Sequence, residues 1–168
     1  MKTKAGIILV VIAVVIIALL SFSDNDNPNK NDFDKFSQAT LTNYQGNTVS
    51  LEEFRGKPLV INSWAVWCPF CKAELPDFAK LQSEFSDQIV VIAIDRQEPI
   101  EVVKNYTNEL GISEMMLFLI DSSDSFYKSI GGFSMPETIF INSIGEIVVH
   151  KRGPMELNEM QEHVRKLF

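Results

Sequence analysis

The chain has only two cysteines and two histidines in 168 residues. A structural zinc site needs four ligands, and this pair together with His150 and His163 matches no common finger spacing, so no metal is expected. Long runs of Lys or Arg are also missing. With 15 basic against 22 acidic residues, a formal charge of -7 and a sequence pI near 4.8, nothing can follow a phosphate backbone, which argues against nucleic acid as a partner. No internal repeat is visible. Nor does a cysteine lie near the end of the N-terminal apolar run, which removes the lipoprotein option.

What is present begins with that run. From Ala5 to Leu20 no side chain is charged or strongly polar; Lys2 and Lys4 precede it, and Asp24 and Asp26 follow. Basic residues stay on the cytoplasmic side of a bilayer, so the N-terminus is expected inside and the rest of the chain outside. Continued through Phe22, the run reaches the lower limit for spanning roughly 30 Å of hydrocarbon and exceeds a typical signal-peptide apolar region. Length therefore favours a membrane-anchor helix over residues 1–22, while Ser21-Phe22-Ser23 offers the small residues of a peptidase site and keeps cleavage after Ser23 open. Residues 23–35, polar and rich in Asn and Asp, have too few apolar groups to fold alone and read as a linker. One domain is expected over residues 36–168. Without Lys2 and Lys4, linker and domain hold 13 basic against 22 acidic residues, a charge of about -9.

Within that domain the pattern alternates. Residues 38–42 and 48–50 suggest a hairpin, and Leu59-Val60-Ile61 a buried strand. A helix then carries the cysteines, its apolar stripe marked by Leu75, Phe78, Leu81 and Phe85, with Pro76 removing one backbone donor. Residues 89–94, IVVIAI, read as a central strand covered on both faces. A helix is predicted over 99–110, a strand over 115–120, a short helix within 122–129, an antiparallel pair over 138–142 and 146–150, and a closing amphipathic helix through Leu157, Met160, Val164 and Leu167. That order predicts an α/β domain with a mixed central sheet and helices on both faces.

Cys68 and Cys71 stand three apart where strand gives way to helix. At that spacing the Cα atoms are about 5 to 6 Å apart, so a disulfide can open and close without refolding the backbone. A first cysteine facing solvent at a helix N-terminus is favoured as thiolate, which makes Cys68 the expected nucleophile and the shielded Cys71 the resolving thiol. A bridge closing two intervening residues restrains the unfolded chain least, so a purely structural disulfide has little to recommend it.

The stretch NSWAVWCPFCKAELP, Asn62 to Pro76, resembles the active-site region of the thioredoxin superfamily, most closely its extracytoplasmic TlpA/ResA/CcmG-type branch. Trp67 precedes the first cysteine and Pro76 follows the second by five, as in the superfamily. Asn62 stands where cytoplasmic thioredoxins carry a buried aspartate, and Glu74 where the branch places an acid. GGFSMPETIFINSIGEIV, Gly131 to Val148, is similar to the family's stretch around its cis-proline. The resemblance implies a thioredoxin fold with an N-terminal β-hairpin extension and a cis bond at Met135-Pro136. It also implies a docking role for Met135, whose backbone would pair with a bound substrate chain.

Trp64, Trp67, Phe70, Phe133 and Met135 are candidates for an apolar rim, with Trp64 expected in the core; Trp67, Pro69, Phe70, Met135 and Pro136 are the expected substrate-binding residues. His150 and His163 are expected at the surface. If Glu74 is partly buried it should titrate high, relay the proton of Cys71 and disfavour a thiolate, giving a reducing couple. The expected activity is thiol-disulfide exchange with exported proteins, with no cofactor beyond the redox-active cysteine pair. The resemblance adds apocytochrome c as the usual substrate and a membrane thiol transporter as electron donor. A general disulfide reductase or isomerase remains an alternative, as does a copper-delivery module, although such modules tend to space their cysteines one residue wider and add a histidine. The Thr-x-x-Cys surroundings of a peroxiredoxin are absent.

Overall fold

The computed structural model describes residues 32–168; the expected anchor over 1–22 and the linker up to residue 31 lie outside them. Among the described residues no helix is long and apolar enough to cross a membrane.

Seven strands form one sheet: β1 (Thr40–Asn43), β2 (Thr48–Ser50), β3 (Leu59–Trp64), β4 (Val90–Arg96), β5 (Leu117–Asp121), β6 (Glu137–Ile141) and β7 (Ile147–Arg152). The helices are α1 (Phe33–Phe36), α2 (Pro69–Phe85), α3 (Ile100–Glu109), α4 (Ser125–Ser129) and α5 (Leu157–Val164). Spatial order is β2-β1-β5-β4-β3-β6-β7, with β3, β4 and β5 parallel and the two hairpins antiparallel at either side. The N-terminal hairpin thus extends the sheet beyond β5, as expected.

Because successive strand residues point to opposite faces, each central strand feeds two cores. In β3, Val60 and Trp64 turn toward a cluster closed by α2, α3 and α5, with Leu75, Phe78, Val103 and Met160 at its centre. Leu59 and Ile61 turn toward a second cluster, closed by α1, α4 and the turn at Leu51. All six residues of β3 are buried, which explains why the strand reads as a continuous apolar run with Asn62 and Ser63 as its exceptions. β4 runs two residues past the apolar stretch, to the charged Asp95 and Arg96, because its pairing with β5 continues to the Arg96–Asp121 register.

The domain also begins earlier than residue 36. Phe33 and Phe36 are buried, meet edge to face at 5.2 Å, and Phe36 contacts Phe126 of α4 at 5.8 Å. The Phe33 amide donates to the Gly145 carbonyl at 3.0 Å. Two aromatic rings inside a polar stretch are enough to tie residues 32–35 into the domain, since burying each is worth about 2 to 3 kcal/mol.

Candidate active site

Helix α2 starts at the end of β3 through the loop Ala65-Val66-Trp67. Cys68 is its N-cap, with extended backbone, and Pro69 occupies the first helical position, where a missing N–H costs nothing. Cys68 Sγ accepts from the Cys71 amide at 3.2 Å, so the sulfur occupies the place of a capping oxygen. The two cysteines are joined as a disulfide with Cα atoms 5.3 Å apart, as the spacing predicts.

One expectation needs correction: Cys68 does not face solvent here but is 3% exposed, and Cys71 is fully buried. Both belong to the apolar cluster beneath α2. Bonded to each other, neither sulfur needs water, and the exposure falls on the neighbours instead. Trp67 is 61% exposed and Phe70 63%, with Pro69 also exposed; Phe133, two residues before Met135, is 85% exposed. Trp64 is buried in the core as expected, against Tyr106 and Phe118. Met135 is half-buried, Pro136 is buried, and the bond between them is cis, as the resemblance implied.

Glu74 lies one turn beyond Cys71 on the same helix face and is buried. Oε1 accepts from Asn62 Nδ2 at 3.0 Å and Oε2 from the Met155 amide at 3.0 Å. Burial outweighs these two bonds and pushes the carboxyl up to about 7. Asn62 Nδ2 also donates to Thr138 Oγ1 at 3.0 Å, while Asn62 Oδ1 has no partner among the described residues. Turning that amide over would present Oδ1 to a protonated Glu74 and leave Thr138 to donate from its rotatable hydroxyl, so the trio can accommodate the acid in either state. A proton can therefore be held one turn from the sulfur pair, near neutral pH, without opening the core.

A pair of acids supports the loop before Cys68. Glu98 accepts from the Val66 amide, and its own amide donates to Asp95 Oδ1 at 3.0 Å. Asp95 is buried at the end of β4, and its carboxyl is pushed up by that burial and by the Glu98 carboxyl beside it. Sequence reading missed this pair, although an aspartate closing a β-branched run was a signal for it. It also missed Glu137, directly after Pro136 and wholly buried. Asn62 was legible through the resemblance, as the counterpart of a buried aspartate, whereas Thr138 was legible only as a polar exception within an apolar strand.

The histidines are less exposed than expected. His150 Nε2 lies 2.7 Å from Glu137 Oε1, and His163 packs edge to face on Phe140 at 5.1 Å. Edge strand and terminal helix were read correctly, but an edge position still leaves one face of β7 turned inward.

The comparisons with known proteins agree with this geometry. The profile of the family described as Redoxin matches residues 29–166. Over 130 residues the chain is 33% identical to the thiol-disulfide oxidoreductase ResA of Halalkalibacterium halodurans, covering 76% of this chain and 72% of that one. A secreted Mycobacterium tuberculosis disulfide oxidoreductase, described as homologous to E. coli DsbE, superposes with a TM-score of 0.71 at 21% identity, over 80% of this chain and 99% of that chain. The exposed lipoprotein thioredoxin of Streptococcus pneumoniae does so with 0.67 at 27% identity, over 76% and 98%. The fold is thioredoxin-like.

Proposed function

Since this chain belongs to the Redoxin family, with thiol-disulfide oxidoreductases of the ResA and DsbE type as its homologues, we propose that it reduces disulfides of exported proteins outside the cytoplasm, apocytochrome c among them. The observation that carries the reading is Glu74: a buried acid held at about 7, one turn from Cys71.

In the reduced protein the Cys68 thiolate attacks one sulfur of the substrate disulfide, and the departing substrate sulfur takes up a proton. Cys71 then gives its proton to the Glu74 carboxylate and attacks Cys68 Sγ. The substrate leaves with its second sulfur reduced, and two electrons have passed to it from the Cys68–Cys71 pair. The product is the internal disulfide, which a membrane thiol transporter reduces again. A carboxylate beside Cys71 and a spacer, Pro69-Phe70, without positive charge both disfavour thiolate, which makes the couple reducing.

Exposed Trp67 and Phe70 flank the cysteines and exposed Phe133 precedes Met135 by two residues, apolar surface suited to an extended polypeptide with which the Met135 backbone would pair. Neither the amide nor the carbonyl of Met135 has a hydrogen-bond partner among the described residues, which supports that role. The apolar segment over 1–22 tethers the domain, and its flanking charges put the domain on the outer side.

The test is to trap mixed disulfides with Cys71→Ala in intact cells and identify what stays attached to Cys68. Recovery of apocytochromes supports the full reading. A broad set of exported proteins without apocytochromes replaces the specific substrate by general disulfide reduction, and recovery of nothing refutes the attacking role of Cys68.

A further inference from the structure

Glu137 opens β6 immediately after Pro136, and its carboxyl is out of contact with water. A buried carboxylate costs several kcal/mol unless both oxygens are met. Here they are divided between two tasks. Oε2 accepts from the amides of Phe133 at 2.8 Å and Ser134 at 3.1 Å. Oε1 accepts from Arg152 Nε at 3.0 Å, and His150 Nε2 lies 2.7 Å away, both on β7. The backbone ladder that Glu137 makes with Ser63 and Arg152 would close with any residue, so the ladder does not explain the acid.

The segment it grips is held from other sides too. Tyr127 donates its hydroxyl to the Ser134 carbonyl at 2.8 Å, and the Gly153 amide donates to the Pro136 carbonyl at 2.9 Å. Gly132 lies so close to the Tyr127 ring that a Cβ there would come within 2.5 Å of it, while Arg96 covers that ring at 3.5 Å. Residues 132–134 and 136 are therefore pinned on both sides of Met135, whose own peptide groups have no partner among the described residues.

We propose that Glu137 is a positioning residue for polypeptide substrates: it fixes the Phe133 and Ser134 amides so that the unpaired Met135 peptide groups are presented in place before the substrate arrives. The proposal rests on the docking role given to Met135 above. Ordering a loop on binding raises the concentration of substrate needed, so loss of the clamp should weaken docking by about tenfold and leave the chemical step alone.

The test compares insulin, a polypeptide disulfide, with dithiobis(nitrobenzoate), a small one, using the full-length protein in detergent. Glu137→Met, which has similar length and no oxygen to accept from the two amides, is expected to raise KM for insulin about tenfold, with kcat, the reduction potential and the rate with the small disulfide unchanged. Should that variant unfold, Glu137→Met combined with Arg152→Met removes both charges together and carries the same expectation. Phe133→Ser, at the exposed rim, reports on docking independently. If Phe133→Ser raises KM for insulin and folded Glu137→Met does not, the proposal is overturned and the docking reading stands. If neither raises it, the docking reading fails and takes the proposal with it. Equal losses with both disulfides would mean general damage and also overturn it.

Discussion

Glu74→Gln offers a sharp measure of the buried acid. The carboxyl rises from the ordinary 4.5 to about 7 because burial penalises its charged form more than Asn62 and the Met155 amide support it. The folded chain therefore holds the Glu74 proton at pH values where the unfolded chain has released it. Stability from this group is complete below pH 4.5 and is lost as pH rises through 7. At ~1.4 kcal/mol for each tenfold change in proton affinity, the loss reaches about 3 kcal/mol by pH 8. Glutamine cannot ionise, and the free Asn62 Oδ1 can turn to receive its amide. Asp95 is raised in the same direction and contributes its own slope, so the quantity to follow is the difference between wild type and variant. Urea unfolding of the oxidised proteins at several pH values from 4.5 to 8 measures it. The variant should gain about 3 kcal/mol on wild type across that range. A difference that stays constant with pH would refute the claim that Glu74 is charged at a cost inside the fold, and with it the proton-holding role.

In the reduced protein, Glu74→Gln should also change the pH profile of Cys68 alkylation, and an unchanged thiol titration would count against coupling between acid and sulfur. Trp67→Ser should raise KM for insulin several-fold while sparing the small disulfide, because the ring is 61% exposed and has a partner to contact rather than a core to fill. Gly132→Ala should slow insulin reduction more than reduction of the small disulfide, since the added methyl meets the Tyr127 ring at 2.5 Å and must displace the loop. Phe33→Ala should cost about 3 kcal/mol and lower Tm by roughly 10 °C, read by calorimetry; a shift under a few degrees would return residues 32–35 to the linker.

Much of the protein was legible from local pattern alone. The hairpin at 40–50, the strands in IVVIAI and TIFI, and the stripe Leu75, Phe78, Leu81 follow from side-chain periodicity, which depends only on neighbours along the chain. The same holds for Cys68 and Cys71, because a spacing of three at a helix start sets their separation before any packing occurs. What the tertiary structure decided was the state of the charged and polar groups. Glu74 could have been a solvated acid in the first turns of α2; the Met155 amide, 81 residues away, and Asn62 on β3 close over it and raise its proton affinity. Glu137 becomes a clamp only when β7 brings Arg152 and His150 to one of its oxygens and the chain before Pro136 folds two amides onto the other. Cys68 changes from the expected solvent-facing group to a buried one once its sulfur is shared with Cys71. Burial and the partners of an ionisable group are set by residues distant in the chain, and no local spacing encodes them.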